Sequence, residues 1–137
     1  MKGVNNITVL LLLLVHFGTM SNIIDARVHV YVKNSLGDGQ CMRLHCQSKD
    51  DDLGTVVLED DQEARWSFSV NFFGTTLFYC HVNWNTSASW YSFDAYSAER
   101  DHRRCNSECH WLISNGGSLL GYDQECSKWE MFPLRTL

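Results

Sequence analysis

Proline is almost absent from this chain, with one residue, Pro133, among 137, and only nine glycines accompany it. That leaves no material for a Pro/Ser linker or a collagen-like repeat, and no internal period marks a solenoid. Basic residues are also in short supply. Eleven Lys and Arg face 16 Asp and Glu, for a formal charge of −5 at pH 7, so the surface repels polyanions and makes nucleic acid or an anionic membrane a poor partner. Cys-x-x-Cys, Gly-x-Ser-x-Gly and His-Glu-x-x-His are all missing, which removes the familiar zinc and hydrolase frames and leaves no call for a metal or cofactor. Long apolar runs are missing too. What is present is 45% apolar and 12% aromatic content, enough for one packed core in one domain.

The most apolar run, Ile7–Val15, follows Lys2 and gives way to small or polar residues through Ser21 and Ala26. At nine residues it is well short of the roughly 20 that span a bilayer, and it has the form of a secretory signal peptide. The expected organisation is a leader over residues 1–26, with cleavage after Ser21 or Ala26, and an exported domain over residues 27–137. Export to the extracellular space gives the cysteines their meaning. Cys41, Cys46, Cys80, Cys105, Cys109 and Cys126 all lie in that domain, and an even number in a short secreted chain reads as a disulfide framework whose connectivity stays open.

Alternation then organises the chain. Val28, Val30 and Val32 oppose Arg27, His29, Tyr31 and Lys33; Met42, Leu44 and Cys46 oppose Arg43, His45 and Gln47; Trp66, Phe68 and Val70 oppose Arg65, Ser67 and Ser69. Further strands are expected at 54–58, 75–84, 90–96, 109–114 and 119–122, with Asn115-Gly116-Gly117 as a hairpin turn. Seven or eight short strands without a helical period indicate an all-β, antiparallel β-sandwich, with a closed barrel as the alternative.

Val-His-Val-Tyr-Val-Lys-Asn (28–34), Leu-His-Cys-Gln-Ser-Lys-Asp-Asp-Asp-Leu-Gly (44–54), Trp-Ser-Phe-Ser-Val-Asn-Phe-Phe-Gly-Thr-Thr-Leu-Phe-Tyr-Cys (66–80) and Cys-x-x-x-Cys-x-Trp (105–111) together resemble the plant self-incompatibility S1 family, the S-protein homologues. The resemblance spans the exported domain in order. It implies a small secreted β-sandwich acting as an extracellular ligand, a monomer recognised by a cell-surface receptor protein; in founding members that ligand is the female determinant detected by incompatible pollen. The family's four cysteines correspond to Cys46, Cys80, Cys105 and Cys109, and Cys41 and Cys126 depart from the pattern. If 105–109 is strand, those two cysteines sit too close to pair with each other. Cys46 with Cys109 and Cys80 with Cys105 are then expected, leaving Cys41 to Cys126.

A ligand role places the recognition surface on loops. The acidic turns Asp50-Asp51-Asp52 and Asp60-Asp61 are candidates, as is the locally basic loop 97–108 with Arg103 and Arg104. The aspartate run lacks the order of an EF-hand loop and reads as a solvated turn. Asn85-Thr86-Ser87 is an N-glycosylation sequon in an expected loop. Two competing readings remain. His45, His81 and His110 each adjoin a cysteine; if the cysteines face inward, the histidines face outward on separate strands, which works against a hydrolase site. Trp84 and Trp90 flank the sequon and invite a glycan-binding platform, whereas Trp66 and Trp111 sit at core positions.

Overall fold

The computed structural model describes residues 27–137; the leader expected over residues 1–26 lies outside the described residues. Ten strands and one helix follow in order: β1 (Arg27–Ser35), β2 (Met42–Gln47), β3 (Asp52–Leu58), β4 (Glu63–Ser69), β5 (Leu77–Trp84), β6 (Tyr91–Ser97), α1 (Ala98–Arg104), β7 (Glu108–Ser114), β8 (Leu119–Asp123), β9 (Lys128–Phe132) and β10 (Arg135–Thr136). They form two five-stranded sheets, β4-β1-β7-β8-β9 and β10-β6-β5-β2-β3. The architecture is the expected sandwich.

Each inner face is drawn from every second residue of its strands. The first sheet contributes Val30, Val32, Cys109, Trp111 and Ile113, and the second contributes Met42, Leu44, Cys80, Val82 and Phe93, all buried. Bonds cross between the sheets from Trp111 Nε1 to the Ala95 carbonyl at 2.7 Å and from Asn34 Nδ2 to the Leu58 carbonyl at 3.0 Å, so the largest core ring leaves no donor unsatisfied. All strand pairs are antiparallel except β1 with β7, which run parallel with Val30 opposite Cys109. The strands beyond the expected eight are β9 and β10, both at sheet edges, where an outer face open to water needs no clean alternation.

Two expectations fail between Ser97 and Cys109. The basic loop is the helix α1, which is too short for a hydrophobic period to register. Its buried residues, Ala98, Asp101 and Arg104, recur every third position, but two of them are charged and conceal the inward face.

The disulfide pairing fails for the same reason. A strand over 105–109 would hold the two thiols apart, yet the chain turns after α1, with the Glu108 N–H bonded to the Cys105 carbonyl. The Cα atoms come to 4.9 Å and Cys105 is bonded to Cys109. Cys46 and Cys80 are direct neighbours across β2 and β5 and form the other bridge. Cys41 and Cys126 are free: Cys41 precedes β2, whose Met42 pairs with Trp84, while Cys126 lies in the turn joining β8 to β9 at the opposite end of the sandwich.

Candidate recognition surface

The connections cluster at the two ends of the sandwich. At one end the 48–51 turn, the 71–76 turn and α1 come together. Ser48, Asp50 and Asp51 share a cleft of about 510 Å³ with Asn71, Thr75 and Leu77, and the Ala98 N–H bonds to the Thr76 carbonyl at 3.0 Å. At the other end the Asp61 N–H bonds to the Asn34 carbonyl, and Thr86 Oγ1 donates to Gln40 Oε1 at 2.8 Å. We call these the helix end and the sequon end.

Asp50 and Asp51 are exposed in a turn closed by two bonds between Ser48 and Asp51, at 2.7 and 3.1 Å. Asp52 has a different environment. It opens β3, and its Oδ1 accepts the Gly54 N–H at 2.9 Å and His45 Nε2 at 2.5 Å. The Gly54 bond, with the His45 bond second, holds this carboxyl below its ordinary value of 3.8. Asp60 and Asp61 lie at the sequon end, so the two acidic turns do not form one patch. Asp60 accepts the Gly37 N–H at 3.0 Å, and Asp61 pairs with Lys33 at 3.5 Å.

Arg103 is exposed on α1, but Arg104 is not a surface residue and cannot touch a receptor. Its side chain is 6% exposed; it binds Asp101 and the Tyr122 carbonyl at 2.7 and 2.8 Å and lies 4.3 Å from the Trp111 ring centre. The i, i+3 spacing of Asp101 and Arg104 puts both on the inward face of the helix. Asn85 is exposed at the start of the turn after β5.

The histidines face outward as expected, and they divide between the sheets. His45 and His81 are cross-strand partners with ring centres 6.5 Å apart. His110 lies on the other sheet, stacked on Tyr31 at 4.4 Å. Among the described residues no group of three His, Cys, Asp or Glu is placed to hold a metal ion, and no helix is long and apolar enough to cross a membrane. The tryptophans do not gather either. Trp84 is buried, stacked on Tyr91 and pressed by Gly117, so it offers no face to a sugar.

Sequence reasoning passed over Phe72 and Phe73, which lie in the 71–76 turn with 96% and 84% of their surface exposed. They fall after Val70 and before the strand expected at 75–84, where the sequence pattern assigns them no role. The usable signal was Asn71 three residues before Gly74, a turn pattern.

Comparison with known proteins agrees with this geometry. Residues 29–132 match the family model of the plant self-incompatibility protein S1. Self-incompatibility protein S1 of Papaver rhoeas is 35% identical over 130 residues, covering 94% of this chain and 92% of its own. S-protein homolog 5 of Arabidopsis thaliana is 36% identical over 105 residues, covering 76% and 80%. A solved structure of a self-incompatibility protein homologue, from a family described as small, highly stable, secreted plant proteins, shares the fold with a TM-score of 0.55 and 17% identity, over 81% of this chain and 91% of that one. By the family match across most of its length, the chain belongs to the plant self-incompatibility S1 family.

Proposed function

We propose that this chain is a secreted plant signalling ligand, recognised as a monomer by a cell-surface receptor protein in cell–cell recognition, and that it performs no catalysis. The observation that carries this reading is its likeness to the Papaver rhoeas self-incompatibility protein S1 over nearly the full length of both chains. The leader pattern around Lys2 and Ile7–Val15 supports export to the apoplast, with a mature N-terminus between residues 22 and 27. His110 lies on the sheet opposite His45 and His81, so the three do not converge, which supports a ligand over a hydrolase built on all three, since general acid–base work needs its groups within hydrogen-bond reach of one substrate. The exposed charges of Asp50 and Asp51 suit a role in steering encounter, while a glycan on Asn85 projects from the other end.

Two sets of substitutions test the reading on cells that respond to the mature protein. Replacing His45, His81 and His110 with Gln leaves the response intact. Reversing Asp50 and Asp51 to Lys slows association without lowering the melting temperature, because solvated turn charges contribute little to folding and much to encounter. A folded histidine variant with no activity, alongside a dispensable acidic turn, would overturn the proposal in favour of a surface catalytic site.

A further inference from the structure

We infer that the 71–76 turn anchors the receptor contact, with Phe72 and Phe73 seated in an apolar socket of a protein receptor whose rim is basic. This rests on the receptor-ligand reading and names the part of the surface that supplies the affinity.

The first observation is exposure. Phe72 and Phe73 are 96% and 84% exposed, with ring centres 5.5 Å apart in an edge-to-face arrangement, and neither folds back onto the sandwich. Val70 and Leu77, at the base of the turn, are exposed as well. Contiguous apolar surface held in water on a small protein marks an interaction site, and buried aromatic anchors dominate the energetics of protein interfaces.

The second observation is rigidity. Asn71 ties the turn together: its carbonyl accepts the Gly74 N–H at 3.1 Å, its Oδ1 accepts the Thr75 N–H at 2.8 Å, its Nδ2 donates to Thr75 Oγ1 at 2.8 Å, and its own N–H donates to Thr76 Oγ1 at 2.8 Å. Gly74 supplies the positive φ of +64° that the turn requires. A loop already fixed in one shape spends little conformational freedom on binding. The chain therefore maintains a stiff support for two aromatic side chains that pack against none of its core.

Charge selects the occupant. Asp50 and Asp51 lie across the cleft on one side of the turn, and Glu99 with His102 shares a second cleft of about 540 Å³ with Val70 and Gly74 on the other. Lys49 is the one Lys or Arg lining either cleft. Asp50, Asp51 and Glu99 outnumber Lys49 in these two clefts, an acidic excess around an apolar tip and the reverse of what an anionic leaflet attracts. It also repels the same rim on a second copy of this chain. A socket with basic edges on another protein fits both features, and the Asn85 sequon at the far end leaves the approach clear.

The test uses the mature protein, fluorescently labelled, on a panel of plant protoplasts, with and without trypsin treatment of the cell surface. Vesicles of phosphatidylcholine, with and without phosphatidylserine, run in parallel. The wild type is expected to bind one of the cell types saturably and in a trypsin-sensitive manner. F72S/F73S should weaken that binding about 100-fold or more, as loss of two central aromatic anchors does, with an unchanged melting temperature because both side chains are already solvated. F72S and F73S singly should each fall between. Wild-type affinity in the double variant would overturn the anchor and leave the receptor reading standing. Vesicle binding lost in the double variant would make a bilayer the occupant and overturn the proposal, as would a sedimenting dimer lost in that variant. A wild type with no trypsin-sensitive binding to any cell type would bring down the receptor reading itself.

Discussion

Asp101 and Arg104, one turn apart on α1, form an ion pair almost sealed from water: Arg104 Nε donates to Asp101 Oδ1 at 2.7 Å, and the two side chains are 6% and 0% exposed. Asp101 Oδ2 also takes the Ser97 N–H at 2.8 Å and an Arg100 guanidinium N–H at 2.6 Å. One carboxylate thus ties the entry of the helix to its exit. Removing one member of such a pair strands the other charge in the interior. Asp101→Ala should therefore lower stability by about 3–5 kcal/mol in urea unfolding. A loss near zero would mean that Arg104 finds other partners.

The bridges should differ in what they contribute. Cys46–Cys80 closes a separation of 34 residues and Cys105–Cys109 one of 4. In the chain-entropy model these correspond to about 4 and about 2 kcal/mol. Cys46→Ser/Cys80→Ser should lower the melting temperature more than Cys105→Ser/Cys109→Ser. Peptide mapping without reductant should recover these two bridges, with Cys41 and Cys126 alkylated.

Asp52 predicts a feature of acid unfolding. Its folded pKa lies below 3.8, so its contribution is present above the unfolded value and disappears as pH falls through the folded one. Asp52→Asn should melt below the wild type at pH 6, and the gap should close as acidification passes below the ordinary carboxylate range. A gap independent of pH would place its cause outside the carboxylate.

Gly121 has no room for a methyl group. A Cβ there would lie 2.7 Å from Trp111 Cζ3, 2.9 Å from Phe132 Cε2 and 3.0 Å from Arg104 Nη1. Gly121→Ala should cost about 1–3 kcal/mol by overpacking, with blunted tryptophan near-UV dichroism. Wild-type stability would show that the Trp111 cluster can shift.

Much of the sandwich was legible because one face of each long strand is buried: Val28, Val30 and Val32 alternate with His29, Tyr31 and Lys33 in sequence and in burial. Pattern does not say which strand lies beside which, so the parallel pairing of β1 with β7 carried no signal. The Asp101–Arg104 pair escaped notice because buried charge looks like surface charge until its partner is found. Of the candidate recognition surface, Asp50 and Asp51 were visible as a charge run. Phe72 and Phe73 were not, since a connection between strands carries no pattern that tells an exposed aromatic side chain from one folded back onto the core.

The parallel neighbours β1 and β7 impose an order on how the molecule is made. A chain emerging from its N-terminus presents Val30 long before Cys109, its partner, while β2, β3, β5 and β6 of the second sheet can assemble in the interval. Until β7 arrives, one side of β1 is an open template for another growing chain. Contacts this distant in sequence also slow the final closure. Crowded synthesis should thus favour tangling at that flank, and its yield should fall with expression rate.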